Sequence, residues 1–198
     1  MSFYDAMALE MIARIELEKY DPLLVLGEPR AVPIEEIVEL YYRLDLEYRY
    51  LRKSGLLLGC TVFNDMLLPI WNAEEKRYEL LPVKRGTIVI SAALLANGSE
   101  GLLRFTIAHE LAHWLLHREL YSSAGIAAAS AIETSLEVNS AVERQADILA
   151  TALLMPRHQV KRAFYAIQGA NDPAASLANL FGVSRQAMGI FLKDHHLA

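Results

Sequence analysis

The sequence predicts an α+β fold with a small sheet packed against one long helix, and three observations lead there. Apolar residues near both ends of the chain recur with the 3.6-residue period of helices. Between Asp45 and Ser91 the period shifts towards two, that of strands. The order is helix, helix, a block of strands, then helices, which is how α+β domains are arranged.

The first helix lies within Met1 to Tyr20, where Met7, Leu9, Met11, Ile12 and Ile15 form the apolar stripe. Its charges make it an amphipathic helix, not a signal peptide. Pro22, Gly27, Pro29 and Pro33 punctuate a loop, and a second helix is expected from Pro33 to about Leu44, with Ile34, Ile37, Val38 and Tyr41 facing inward. Leu46 to Tyr50 alternates as a strand, Leu56 to Phe63 reads as a buried apolar run, and Tyr78–Val83 and Thr87–Ser91 are further strands. Thr87–Ser91 is β-branched and precedes the longest helix, so it is expected to be the sheet edge beside the cleft, receiving an extended substrate by strand addition. Asn97-Gly98 breaks the chain before a helix from about Ser99 to Leu120. Ser122 to Ser140, rich in Ala and Ser, takes no firm assignment. Helices follow at Ala141–Met155, Pro156–Ile167, Pro173–Phe181 and Ser184–His195, the last two resembling a helix-turn-helix with Ser184 as N-cap.

Composition narrows the function. The 198-residue chain is 54% hydrophobic and 22% charged, which is globular rather than disordered. A net charge of -5 argues against general binding of nucleic acid or anionic membranes. Cys60, the single cysteine, allows no internal disulfide, and no apolar run approaches the roughly 20 residues that span a bilayer. The expectation is a cytoplasmic, soluble protein.

Chemistry concentrates at His109-Glu110-Leu111-Ala112-His113, an H-E-x-x-H motif on a helix flanked by Phe105, Ile107, Trp114 and Leu116. Positions i and i+4 lie about 40° apart around a helix and about 6 Å along it, so both imidazoles can grip one Zn²⁺ at roughly 2.0–2.1 Å. Glu110 sits about 100° from His109. It borders the metal without binding it, and is therefore the candidate general base. Catalytic zinc takes three protein ligands and keeps one position open. A third histidine after a glycine turn is ruled out, because Leu116 and Glu119 occupy those positions. The remaining candidate is Glu143, on a later helix in the run Glu143-Arg144-Gln145-Ala146-Asp147. Asp147, one turn on, can accept the free ring N–H of a metal-bound histidine, His109 by preference. His117 has turned too far to share the site and is assigned a hydrogen-bonded structural role; His158, His195 and His196 default to the surface. Another divalent ion such as Mn²⁺ is possible. A structural zinc site, which would want several cysteines, does not fit.

The stretch Arg104 to His113, followed by His117, resembles the ImmA/IrrE family of metallopeptidases. The resemblance continues through Glu143 to Asp147, Ala152-Leu153-Leu154-Met155-Pro156, and Leu177 to Ser184. It implies a minimal zincin-like fold with a glutamate as third ligand. The expected division is an N-terminal helix and loop (1–31), a catalytic core (32–156) and a helical C-terminal subdomain packed on it (157–198). It also implies a protein substrate, a helix-turn-helix repressor of a phage, mobile element or stress regulon. The competing reading is a DNA-binding regulator using the C-terminal helix pair. It is disfavoured by a net of only +3 across residues 157–198 and by a second helix whose side chains offer little to read bases.

Overall fold

In the computed structural model, residues 4–96, 98–123, 136–167 and 169–197 are described. The Asn97 half of the Asn97-Gly98 break, and residues 124–135 of the unassigned stretch, lie outside them. Helices α1 (Ala6–Tyr20), α2 (Leu23–Leu26) and α3 (Ile34–Glu36) lead to a π-helical turn over Ile37–Tyr41. Strands β1 (Asp45–Arg49), β2 (Gly59–Thr61), β3 (Met66–Asn72), β4 (Arg77–Val83) and β5 (Thr87–Ser91) follow. Then come α4 (Ala93–Ala96), the catalytic-motif helix α5 (Glu100–Ser123), α6 (Leu136–Leu154), α7 (Arg157–Ala166), α8 (Pro173–Phe181) and α9 (Arg185–Asp194). The fold is α+β, as predicted. Among the described residues no helix is long and apolar enough to cross a membrane.

The three-stranded sheet has the order β1-β5-β2, with β1 parallel and β2 antiparallel to β5. This corrects the edge expectation for Thr87–Ser91. Every residue of β5 is buried, and it is paired on both sides. An apolar run without polar alternation marks a strand covered on both faces, which is a central position. The edge beside α5 is β2. The apolar run around β2 is buried only from Gly59 to Phe63, and Leu56 is 85% exposed.

Strand β3 is not among the strands that the sequence predicts, and it carries Pro69 in its middle, a residue that central strands exclude. It pairs with β4 in a two-stranded ribbon, Pro69 opposite Leu80 and Pro82 opposite Leu67. Both strands of such a ribbon are edges, where a missing N–H costs no ladder bond if it faces outward.

Two helical stripes also differ from expectation. Helix α1 buries Leu9, Ala13 and Leu17, spaced i, i+4 and i+8, while Met7, Met11 and Ile15 face outward. In the second helix Ile34, Ile37 and Val38 are buried, but the Tyr42 N–H bonds Ile37 O, five residues back, and Tyr41 is exposed. The wider turn rotates the following residues off the stripe.

One main core runs from Leu9 to Leu192, with α5 and α6 packed across its centre. The N-terminal end of α5 rests directly on the turn between α8 and α9. A Cβ at Gly101 would stand 2.5 Å from Ser184 N, so only glycine lets the backbones approach. Gly182, at φ 64°, closes α8 in the left-handed conformation, and the Ser184 hydroxyl accepts from Ala187 N–H to start α9. Buried Arg104 joins the pieces. Its Nε donates to Gly182 O at 2.9 Å, its Nη2 to Val32 O at 2.5 Å, and its Nη1 lies 3.6 Å from Glu35. It is thereby unavailable to Glu143 and Asp147.

Candidate active site

A cleft of about 420 Å³ lies between the Leu56–Thr61 segment on one side and α5 and α6 on the other. Its lining includes His109, Glu110, His113, Glu143 and Asp147, so the packing of α5 on α6 gathers all five residues singled out in the sequence. His109 Nε2 and His113 Nε2 are 3.0 Å apart. Glu143 Oε2 is 3.2 Å from His109 Nε2, and Glu143 Oε1 is 3.5 Å from His113 Nε2. Tetrahedral coordination at about 2.0–2.1 Å separates donor atoms by roughly 3.3–3.4 Å. The three separations bracket that value, the two to Glu143 running to different oxygens of its carboxylate, and two imidazoles with a carboxylate are a ligand set that zinc accepts. Among the described residues, these three form the group able to hold a metal.

The supporting contacts fix which ring nitrogens face inward. His109 Nδ1 lies 2.9 Å from Asp147 Oδ1, so Nδ1 carries the proton and Nε2 is left for coordination. In the metal-free protein, burial disfavours the charged ring. The bonds to Asp147 and Glu143, with the field of Glu110, outweigh it and push His109 up to about 10. Burial also opposes charge on Glu143, but its bonds to His109 and His113 hold it well below the usual carboxylate range. With the partners on α5 and α6, Asp147→Ala is expected to weaken metal affinity roughly 10–100-fold while the fold is kept. Titration with a chromophoric chelator checks this; unchanged affinity would remove Asp147 from the site.

His117 takes a more specific place than the structural role expected of it. Its Nδ1 is 3.1 Å from His113 Nδ1. For His113 to offer Nε2 to a metal, its Nδ1 must donate, so His117 Nδ1 accepts and its Nε2 bears the proton. That Nε2 is buried, with no hydrogen-bond partner among the described residues. Burial, reinforced by His113, lowers His117 to about 4, so the ring stays neutral as this role requires. His158 is exposed and does not line the cleft.

Glu110 is held from the sheet side by two residues that the sequence did not signal. The Thr61 hydroxyl lies 2.6 Å from Glu110 Oε2 and 2.9 Å from Glu110 O, so its single proton anchors the carboxylate or the helix backbone. Gly59 gives the carboxylate its room. A Cβ there would sit 2.5 Å from Oε1 and 2.8 Å from Cγ, and would drive Glu110 aside. Both lie on β2, about fifty residues before the motif, at positions with no local pattern to read. Burial pushes the neighbouring Cys60 thiol up to about 12, with Glu110 adding to the effect, so the thiol is inert at neutral pH.

The family model for the IrrE N-terminal-like domain (Peptidase_M78) matches residues 65–193. The chain belongs to this family. M78 peptidases are metal-dependent, and in this IrrE-like chain the matched region carries the whole His-His-Glu group. The fold is the minimal zincin-like arrangement that the resemblance implied. The solved structure of a Mycobacterium tuberculosis transcriptional regulator is similar, with a TM-score of 0.52 and 17% identity, over 93% of this chain and 55% of that one. At that identity the likeness is one of fold, and the chain spans about half the regulator's length. No curated protein matches. In the IrrE-like chain the helix-turn-helix-like pair buries Met188, Phe191 and Leu192 of α9, and Arg185 at its start pairs with Asp172 at 2.9 Å.

Proposed function

We propose that the chain is a zinc-dependent endopeptidase in which His109, His113 and Glu143 hold the metal, Glu110 is the general base, and the substrate is a helix-turn-helix repressor. The observation that carries the enzymatic part is the donor triangle of His109, His113 and Glu143, with a further carboxylate, Glu110, beside it. The two Nε2 atoms are 3.0 Å apart, and 3.2 and 3.5 Å separate them from the two carboxylate oxygens of Glu143. Zn²⁺, when bound, supplies a Lewis acid that activates water and polarises a peptide carbonyl.

The rest is done by the chain. The edge of β2 that no described strand pairs offers backbone groups along which an extended peptide can align, as an added strand, towards α5. Glu110 takes one proton from the attacking water and passes it to the amide nitrogen, which leaves as an amine while the acyl carbon gains the hydroxyl. Thr61 keeps Glu110 on the substrate side, and Asp147 and His117 hold the two imidazoles in the tautomers that leave Nε2 free. The repressor is the substrate class implied by the family resemblance. Where a helix-turn-helix repressor is encoded beside its gene, incubating metal-loaded protein with that repressor should yield discrete fragments, with none in the presence of a chelator. An intact repressor, alongside metal-dependent cleavage of generic peptides, would overturn the substrate and leave the chemistry standing.

A further inference from the structure

A second, larger trough of about 970 Å³ runs between α1, α6, α7 and α9. Met7, Met11, Leu26, Ile148, Met155 and Ile190 supply much of its apolar lining. Several of these are open to solvent: Met7 is 79% exposed, Leu26 66%, Ile190 54% and Met11 53%. Helix α1 has thus buried one apolar stripe and left a second unused, at i and i+4 on the adjoining face. Apolar side chains exposed together around a concave surface mark a binding region more often than a chance of composition. Methionines, flexible and polarizable, suit a surface that must fit apolar partners of varied shape. The rim shows no block of one sign: Glu10 lies 3.6 Å from Arg157 and 3.8 Å from His195, and Arg14 bonds Glu18 at 2.8 Å. Recognition here is therefore apolar rather than ionic.

Position says what the occupant is. Phe105 and Asp147 line both this trough and the catalytic cleft, so the two adjoin at these residues. A peptide that leaves the cleft over Phe105 and Asp147 meets this surface next. We infer that the trough docks an apolar, amphipathic segment of the protein substrate that flanks the bond to be cut, an inference that rests on the peptidase reading above. From Ala6 to Arg14 the α1 wall is about 12 Å long at 1.5 Å per residue, enough for two turns of a helix with anchors at i, i+3 or i+4, and i+7. Part of this wall is α1, which lies outside the residues matched by the family model. The trough is thus a place where this chain sets its own substrate preference.

The test uses the full metal-loaded chain carrying Glu110→Gln and a fluorescein-labelled 14-residue peptide of Leu and Lys, with Leu at i, i+3, i+4 and i+7. A control peptide has Ser for Leu. Saturable binding of the Leu peptide is expected, at least tenfold tighter than the Ser peptide. Met11→Glu on α1 and Ile190→Glu on α9 should each weaken it tenfold or more, because burying one such side chain is worth about one to two powers of ten in affinity. Both positions are exposed and on different helices, so one failed fold does not remove the test. Equal binding to the variants, or to the Ser peptide, overturns the inference. So does a wild-type dimer in sedimentation that Met11→Glu splits, since the face would then belong to a second copy. In a cleavage arm, appending the Leu segment to a short quenched-fluorescent substrate should raise kcat/KM tenfold or more in the wild type at Glu110, and the ratio should fall towards one in the trough variants. Peptide binding at the trough with no cleavage of any peptide overturns the peptidase reading, and with it the substrate as occupant, while the trough stands as a peptide-binding surface. Cleavage that ignores the Leu segment overturns the trough alone.

Discussion

Replacing Glu110 by glutamine is expected to leave the metal in place and to lower peptide cleavage by roughly 10²–10⁴-fold. Glutamine keeps the shape of the side chain and an oxygen that can still accept from Thr61 Oγ1, now 2.6 Å from the carboxylate. What it lacks is the capacity to take a proton from water and hand it to the leaving nitrogen. The carboxylate is not one of the three grouped donors, so metal content should stay near one ion per chain. Because Glu110 is buried and its partner is retained, the melting temperature should change little. Metal analysis together with single-turnover cleavage separates the two roles. Near-normal cleavage by the metal-loaded variant would show that another group is the base.

Changing His109 and His113 together to alanine should have the opposite signature: loss of the metal and, with it, of all metal-dependent cleavage. Each imidazole contributes one corner of the donor triangle, and the carboxylate of Glu143 alone cannot hold a transition ion against water. In the metal-free protein Glu143 draws on the same two rings to stay ionised. Elemental analysis showing full occupancy in the double variant would sink the assignment.

The parts of the fold legible in the sequence are those set by local spacing. The bounds of β5 and α8 agree with the apolar runs that predicted them, and the i, i+4 rule puts His109 and His113 on one face of α5. Partner choice is different, because it is decided by packing between distant segments. A β-branched run says strand, yet whether Thr87–Ser91 is an edge depends on what pairs with it. Pro69 speaks against a strand unless the strand has a free side, and that is a property of the ribbon rather than of the residue. Thr61 and Gly59 reach Glu110 through a contact spanning about fifty residues, and neither residue type advertises it. Met7, Met11 and Ile15 belong to the apolar stripe of α1 yet face outward, because periodicity reports that a face is apolar, not which face meets the protein.

Arg104 gives the site a dependence on the order in which the chain is made. Its guanidinium, buried five residues before His109, finds one carbonyl acceptor at Val32, upstream, and another at Gly182, 78 residues downstream. A ribosome delivers these at different times. When α5 first emerges, the upstream loop is present and the turn between α8 and α9 is not, so a cation that belongs in the interior lacks half of its neutral partners. A nascent chain can therefore hold the motif helix before it can bury it fully, and the contact that seats the start of that helix closes only after the segment carrying Glu143 has been synthesised.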